Sequence, residues 1–136
     1  MTLRSTKTKT KKYSAEDRAK YYSKVIIVDF DDTLCLHAGY DKSNITKGEP
    51  NLPLILKLNE LFDRGYSIQI YTARGHISSG TRKEADARYR LVIQEWLQKY
   101  GVKYSHLTFN KPLGIIYIDD KSVRPDELDL IDSITQ

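Results

Sequence analysis

The sequence has a single cysteine and no long apolar run, whereas many secreted proteins depend on disulfides and membrane proteins on apolar spans. Its one cysteine, Cys35, excludes a disulfide within the chain, which suits a reducing compartment. Its apolar runs are much shorter than a bilayer span, and residues 1–17 lack both the apolar segment and the small-residue cleavage site of a secretory signal. We therefore expect a cytoplasmic protein without membrane association.

Histidine is also scarce, and this bears on metal chemistry. His37, His76 and His106 are far apart in the sequence, and no cysteine pair accompanies them. Zinc sites combine cysteine and histidine at short, regular spacing, so a zinc site is not predicted. We interpret each histidine as a surface or packing residue.

Basic residues are concentrated at the N-terminus. Residues 1–24 hold eight Lys or Arg and two Asp or Glu, whereas the remaining residues hold 14 and 16. Because 136 residues suit one domain, we predict a flexible basic tail over residues 1–23 and one folded domain over residues 24–136. Such a tail can bind nucleic acid by releasing counterions, although short Lys/Thr/Ser leaders are more often solvated extensions. The sequence does not indicate an oligomeric state.

Four short apolar runs have the pattern of buried strands. The first shows no alternation of apolar and polar residues, which is typical of a parallel strand covered on both faces. The segment after it, residues 31–50, is rich in Gly, Asp, Asn and Lys and is interpreted as a loop or small flap. The predicted strands are Lys24–Phe30, Ser67–Tyr71, His106–Phe109 and Ile115–Ile118.

Helices are predicted between these strands. Apolar residues at helical spacing indicate a helix that opens at Asn51 or Pro53 and ends before Gly65, a second over residues 85–100 and a short third over 126–134. Strands joined by helical crossovers form parallel sheets. The predicted fold is therefore α/β, a three-layer Rossmann-like parallel sheet with helices on both faces.

Acidic residues cluster at the ends of two predicted strands. Asp29, Asp31 and Asp32 follow the first strand, and Asp119 and Asp120 follow the last. The carboxyl ends of parallel strands meet at one edge of a sheet, so we expect these carboxylates to converge there. Crowded carboxylates need a cation or a shared proton, and oxygen ligands of this kind suit Mg²⁺. A solvated acidic turn is the simpler interpretation of either cluster alone.

Four segments, in order along residues 25–121, resemble the haloacid dehalogenase superfamily of phosphatases and phosphotransferases. The first resembles its Asp-x-Asp-x-Thr motif and the second its strand-ending Ser or Thr, while the third supplies a lysine and the fourth an acidic pair. Asp32 stands where most members have Gly and resembles an acidic variant of the motif. The segments are Asp29-Phe30-Asp31-Asp32-Thr33, Ile70-Tyr71-Thr72-Ala73-Arg74, Phe109-Asn110-Lys111-Pro112 and Ile118-Asp119-Asp120.

The resemblance implies catalytic roles for four residues. Asp29 is expected to attack phosphorus and form an aspartyl-phosphate. Asp31 is expected to protonate the leaving group and then to activate water. Thr72 is expected to hydrogen-bond a phosphoryl oxygen, and Lys111 to pair with the phosphate and with Asp29.

The resemblance also implies a magnesium cofactor. The expected ligands are the carboxylate of Asp29, the backbone carbonyl of Asp31 and the carboxylate of Asp119, while Asp120 orients metal-bound water. The ion is expected to neutralise charge on the attacking and transferring oxygens.

Two further segments, residues 71–75 and 119–127, narrow the resemblance to short bacterial and phage phosphatases, including ones associated with capsule polysaccharide synthesis. Only residues 35–50 and 74–82 are available for insertions, so the sequence predicts a rather open site and no sizeable cap domain. Candidates for contact with the substrate are Arg74, His76, Arg82 and Lys121, with Tyr40 as a stacking residue.

The expected function is that of a magnesium-dependent phosphomonoester hydrolase that acts on a sugar phosphate or another small phosphorylated metabolite. A nucleic-acid 3′-phosphatase is an alternative, because an open site also suits a nucleic-acid end and the tail is basic. A non-enzymatic module that binds a phosphorylated ligand is a third interpretation. It is disfavoured because every catalytic position of the motifs is filled.

Overall fold

The computed structural model describes residues 12–37 and 44–136. Within these residues the helices are α1 (Ala15–Tyr22), α2 (Leu52–Asp63), α3 (His76–Ser79), α4 (Arg82–Lys99) and α5 (Leu128–Ile134). The strands are β1 (Val25–Asp29), β2 (Cys35–Leu36), β3 (Glu49–Pro50), β4 (Ser67–Tyr71) and β5 (His106–Thr108).

A parallel sheet with the strand order β1-β4-β5 forms the centre of the fold. Asp29 at the end of β1 pairs with Tyr71 on β4, and Tyr71 pairs in turn with Thr108 on β5. The crossovers between these strands contain α2 and α4. Parallel strands end at the same edge of the sheet, so Asp29 and Thr72 lie close together. The predicted α/β fold with a parallel sheet is confirmed.

Apolar side chains from α2 and α4 cover one face of the sheet. Ile68 and Ile70 of β4 are fully buried in one cluster with Leu58 and Leu61 of α2 and Leu97 of α4. Burial of this face is the main source of stability, because each buried aliphatic side chain contributes roughly 1.5–3 kcal/mol relative to its exposed state.

The opposite face of the sheet is only partly covered. Ile27 of β1 points to that face and is 61% exposed, and its neighbour on β4, Gln69, is half-buried. Among the described strands β1 pairs with β4 alone, so its other edge is open. The predicted layer of helices on both faces is therefore not confirmed.

The boundaries of the two long helices follow from local chemistry. The Asn51 side chain accepts a hydrogen bond from the backbone N–H of Leu54 and caps α2, and Gly65 after that helix has a φ of 97°. Thr81 caps α4 in the same way, and Gly101 ends it with a φ of 66°. Left-handed backbone favours glycine, so both predicted ends are confirmed.

The prediction of a strand over Ile115–Ile118 is wrong. This segment has no regular structure, and Ile115 and Ile118 are 103% and 93% exposed. The segment follows Pro112 and Gly114, which weaken strand pairing because proline lacks an N–H donor and glycine has a large conformational entropy. Its β-branched composition favours a strand, but a strand also requires a partner.

The N-terminal segment also differs from its prediction. Residues 15–22 form helix α1, which opens with a reciprocal capping box between Ser14 and Asp17 and contains no buried residue. These residues are therefore helical, because local capping is enough to start a helix, while the division into a tail and a folded domain stays a prediction. Lys7, Lys9 and Lys11 lie outside the described residues. None of the helices in the described ranges has the length and apolar composition needed to span a bilayer.

Residues 35–50, hereafter the flap, begin and end in a two-stranded antiparallel pair. Cys35 on β2 pairs with Pro50 on β3, which agrees with the predicted small flap. Tyr40 falls among residues 38–43, outside the described residues. A β-carbon at Gly48 would lie 2.1 Å from the Cys35 sulfur, so glycine is required where the flap folds back on itself.

The single tryptophan joins the flap to the core. Trp96 on α4 packs edge-on against Phe30, with ring centroids 5.2 Å apart. Its indole N–H donates a hydrogen bond of 3.2 Å to the carbonyl of Gly48. The flap is thereby held against the helix that covers the sheet.

Candidate active site

Asp29 ends β1, and both of its carboxylate oxygens have partners. Lys111 Nζ lies 3.1 Å from one oxygen, and the Thr33 hydroxyl donates to the other at 3.1 Å. Burial raises the pKa of Asp29 above its ordinary value, while Lys111 and Thr33 pull that pKa down and Asp31 adds to the rise. The carboxylate is thus held in a fixed orientation beside one cation.

The raised pKa of Asp29 makes a prediction about stability. A carboxyl group whose pKa is higher in the folded than in the unfolded protein destabilises the fold once it is ionised, and this cost disappears as the pH falls. We expect Asp29→Asn to melt at a higher temperature than the wild type at pH 7 in metal-free buffer. The difference should shrink as the pH falls toward 3.8, the ordinary pKa.

Thermal unfolding of both proteins across this pH range measures the effect. A lower melting temperature for Asp29→Asn at pH 7 would show that the Lys111 ion pair outweighs the cost of burial.

Asp31 is the most extensively bound carboxylate of the site. Its Oδ1 lies 2.5 Å from Arg74 Nη2 and 2.8 Å from His37 Nε2. Its Oδ2 accepts from the Thr72 hydroxyl at 3.2 Å and from Arg74 Nε at 3.3 Å. Residues from two separate parts of the chain, the segment after β1 and the segment after β4, therefore meet at one side chain.

The turn after β1 explains the residue at position 32. Asp32 has a φ of 58°, in the left-handed region that glycine adopts most easily and that Asp and Asn tolerate better than other residues. Its carboxylate accepts a hydrogen bond from the backbone N–H of His37 at 3.2 Å. Asp32 thus allows the tight turn and also fixes the chain that returns from it.

Thr72 follows β4 and organises the neighbouring loops. Its fully buried side chain accepts from the backbone N–H of Arg74 at 3.0 Å, which sets the start of that loop. Its carbonyl accepts from the backbone N–H of Lys111 at 3.3 Å.

The Lys111 ammonium lies 5.1 Å from the ring centroid of Tyr71 and 4.5 Å from that of Tyr117. Contact with two aromatic faces adds to the ion pair in holding this cation at Asp29.

The second acidic cluster does not join the first. Asp119 and Asp120 are exposed, and both interact with Lys121: Asp119 accepts from its backbone N–H at 2.8 Å, and Asp120 lies 3.1 Å from its ammonium. Hydrogen bonding to Lys121 lowers the pKa of Asp120. The predicted convergence fails because it depended on a strand over Ile115–Ile118.

This arrangement bears on the predicted magnesium site. Within the described ranges no group of three or more His, Cys, Asp or Glu side chains is placed to hold a metal ion. The carboxylates of Asp29 and Asp31 are hard oxygen ligands, but basic and hydroxyl groups occupy them here. As arranged, the described residues do not fit the ion, because Asp119 is missing from the set.

The predicted substrate-contact residues are divided between the site and the surface. Arg74 is turned inward onto Asp31, and its side chain is only 8% exposed. Arg82 is exposed at the first position of α4, and Lys121 is exposed beside Asp120. His76 Nε2 donates to the carbonyl of Phe109 at 2.8 Å and so joins two loops.

Two residues that contact Asp29 or Asp31 were not predicted to do so. Thr33 belongs to the first motif, and its side chain orients Asp29. His37 was interpreted as a surface or packing residue, but it is buried against Asp31. The left-handed turn at Asp32 reverses the chain and places His37 against Asp31. No periodicity in the sequence predicts this turn.

A Vibrio cholerae protein of known crystal structure is similar to this chain. The TM-score is 0.70 and the sequence identity 33%, over 82% of this chain and 96% of the Vibrio protein. The chain belongs to the same family as that protein. Because nearly all of the Vibrio relative is covered, the mixed α/β fold is common to both. No protein-family model matches the chain, and curated proteins give no significant match.

Proposed function

We propose that this chain is a phosphomonoester hydrolase of the haloacid dehalogenase type, with Asp29 as its nucleophile. The observation that carries the proposal is the setting of the Asp29 carboxylate, which ends a strand between Lys111 Nζ at 3.1 Å and the Thr33 hydroxyl at 3.1 Å. Phosphoryl transfer through an aspartyl-phosphate requires a carboxylate oxygen, and it is favoured when that oxygen is held rigidly next to positive charge. The proposed substrate is a sugar phosphate or another small phosphorylated metabolite.

The proposed reaction has two steps. First, an Asp29 oxygen attacks phosphorus, the bond from phosphorus to the substrate oxygen breaks, and Asp31 gives a proton to the leaving alkoxide. Second, Asp31 takes a proton from water, which attacks phosphorus, breaks the aspartyl-phosphate bond and releases inorganic phosphate. Asp31 is thus the acid of one step and the base of the next, a role that a carboxylate two residues from the nucleophile can perform.

The cations and hydroxyls near Asp29 and Asp31 suit the charge that develops on the phosphoryl oxygens. Lys111 and Arg74 each carry a positive charge and lie against the two aspartates. The Thr72 hydroxyl, now bound to Asp31, can donate to a phosphoryl oxygen instead. Donors fixed in place before the reaction stabilise a transition state without reorganising.

The proposal includes Mg²⁺. It requires that Asp119, which is exposed beside Lys121, move to the carboxyl end of β1. The carboxylates of Asp29 and Asp119 and the backbone carbonyl of Asp31 would then hold the ion, which would offset negative charge on the phosphate.

Hydrolysis of 4-nitrophenyl phosphate tests the activity and the metal together. We expect the purified chain to release nitrophenol and phosphate in equal amounts with Mg²⁺ and to lose about 100-fold or more of this activity with excess chelator. Added Mg²⁺ should restore it, and Ca²⁺ should do so poorly because it prefers more ligands at longer distances.

The Asp119→Asn variant tests the proposed Mg²⁺ site separately from the proposed nucleophile, Asp29. This change should raise the Mg²⁺ concentration needed for half-maximal activity by about 10-fold or more, whereas Asp129→Asn on the exposed side of α5 should not. Full activity in excess chelator would contradict the proposed Mg²⁺ site but not the proposed role of Asp29 as nucleophile. No hydrolysis of any aryl or sugar phosphate would instead favour a module that only binds phosphorylated ligands.

A second experiment addresses the nucleic-acid alternative, which the basic N-terminus favours. Helix α1 contains no buried residue, so deletion of residues 1–23 should leave aryl phosphate hydrolysis within about twofold of the full chain. Turnover of a 3′-phosphorylated oligonucleotide should be low with and without these residues. It should be measured at several salt concentrations, because phosphate contacts give a steep salt dependence. Efficient, salt-steep turnover that collapses on deletion would make the nucleic-acid end the substrate.

A further inference from the structure

Two buried side chains hold the Asp31 carboxylate: 8% of the Arg74 side chain is exposed and none of the His37 side chain. Arg74 lies 2.5 Å from Oδ1 through Nη2 and also reaches both oxygens through Nε. His37 Nε2 lies 2.8 Å from the same Oδ1, and the His37 side chain is 0% exposed. An anionic substrate can compete for the guanidinium, but it cannot reach the buried imidazole.

The contact with Asp31 fixes the hydrogen on the His37 ring. In its ionised state, in which Asp31 acts as the base of the second step, the carboxylate only accepts hydrogen bonds, so Nε2 is then the donor. Arg74 Nη2, at 3.4 Å from Nε2, is then packed against the ring and does not donate to it. Nδ1 is buried and has no hydrogen-bond partner among the described residues.

This nitrogen, unpaired within residues 12–37 and 44–136, argues against a packing role. A buried polar atom without a partner lowers stability, so an apolar ring would fill the same space at lower cost. The histidine is explained by its other nitrogen, which binds Asp31. The backbone N–H of His37 donates to the Asp32 carboxylate at 3.2 Å, so the ring is also anchored to the turn that carries Asp31.

We infer that His37 is a positioning residue that keeps the Asp31 carboxylate in place when a substrate phosphate draws Arg74 away. The inference rests on the proposed function, in which Asp31 is the acid and base. Guanidinium groups pair with phosphate as readily as with carboxylate, so substrate binding weakens the Arg74 contact at the moment when the orientation of Asp31 matters. The His37 contact persists because the substrate does not compete for it.

Substrates that differ only in their leaving group test this role. Phenyl phosphate needs a proton from Asp31 for its leaving oxygen, whereas 2,4-dinitrophenyl phosphate does not. In His37→Phe we expect kcat/KM for phenyl phosphate to fall roughly 10–100-fold and that for the dinitrophenyl ester to fall less than about threefold. Inhibition by inorganic phosphate should be unchanged, since His37 does not touch the ligand.

Two conservative variants complete the design. Gln at position 37 places an amide N–H near the position of Nε2 and should retain activity on both substrates, whereas the shorter Asn should behave like Phe. These two variants carry the test if His37→Phe does not fold. His106→Gln, at an exposed position on β5, is the matched control and should change neither substrate.

Each other outcome is decisive. Equal losses on both substrates together with a lower melting temperature would assign His37 a structural role, and wild-type kinetics in His37→Phe would assign it none. Either result overturns the inference about His37 but does not affect the proposed role of Asp29 as nucleophile. A wild-type chain that hydrolyses neither ester refutes the proposed function itself, and the inference falls with it.

Discussion

Asp29→Asn is expected to lower the hydrolysis of 4-nitrophenyl phosphate by roughly 10⁴-fold or more, because removal of a nucleophile costs most of the chemical acceleration. Asn keeps the shape of the side chain, and its oxygen can still accept from Lys111, but the amide is a far weaker nucleophile than a carboxylate. The fold should therefore survive while turnover is lost.

The control is a second carboxylate of the same kind outside the site. Asp63 at the end of α2 pairs with Lys103 at the surface, and Asp63→Asn should hydrolyse the ester at the wild-type rate. Mass spectrometry of the wild type quenched in acid should detect phosphate on Asp29. Near-normal activity in carefully purified Asp29→Asn would exclude the proposed nucleophile.

Asp31→Asn is expected to slow both steps, by roughly 10²–10⁴-fold where proton transfer is needed. With phenyl phosphate the first step is slowed, because the leaving phenoxide receives no proton. With 2,4-dinitrophenyl phosphate the first step should stay fast while the second is slow. Rapid mixing should then show a burst of dinitrophenol equal to the enzyme concentration.

The burst distinguishes Asp31 from a residue that only binds phosphate. Loss of a binding residue would slow both esters by similar factors and give no burst. Identical kinetics in mutant and wild type would eliminate Asp31 as the acid and base, although its contacts with Arg74 and His37 would remain structural facts.

Elements that local chemistry determines were predictable from the sequence. The apolar run before Asp29 predicted β1, and the caps at Asn51 and Gly65 predicted both ends of α2. Strand ends also located Asp29 and Thr72, because parallel strands deliver their last residues to one edge. These predictions needed only short-range patterns and one rule of topology.

Features that depend on distant contacts were not predictable in the same way. A strand over Ile115–Ile118 was expected from composition, but none of the strands in the described part of the chain pairs with that segment. His37 reaches Asp31 only because Asp32 adopts a left-handed backbone that reverses the chain. An Asp-Asp-Thr sequence allows several backbone conformations, so the sequence alone does not predict this one.

The position of Trp96 provides an optical signal for the flap. The chain has one tryptophan, and its indole N–H is bonded to the carbonyl of Gly48 while its ring rests on Phe30, the residue between Asp29 and Asp31. Indole emission shifts to longer wavelength when water replaces such contacts. Any ligand that lifts the flap or repacks the turn after β1 should therefore change the fluorescence of the unlabelled protein. Binding at this site can then be followed in real time, even with compounds that are never turned over.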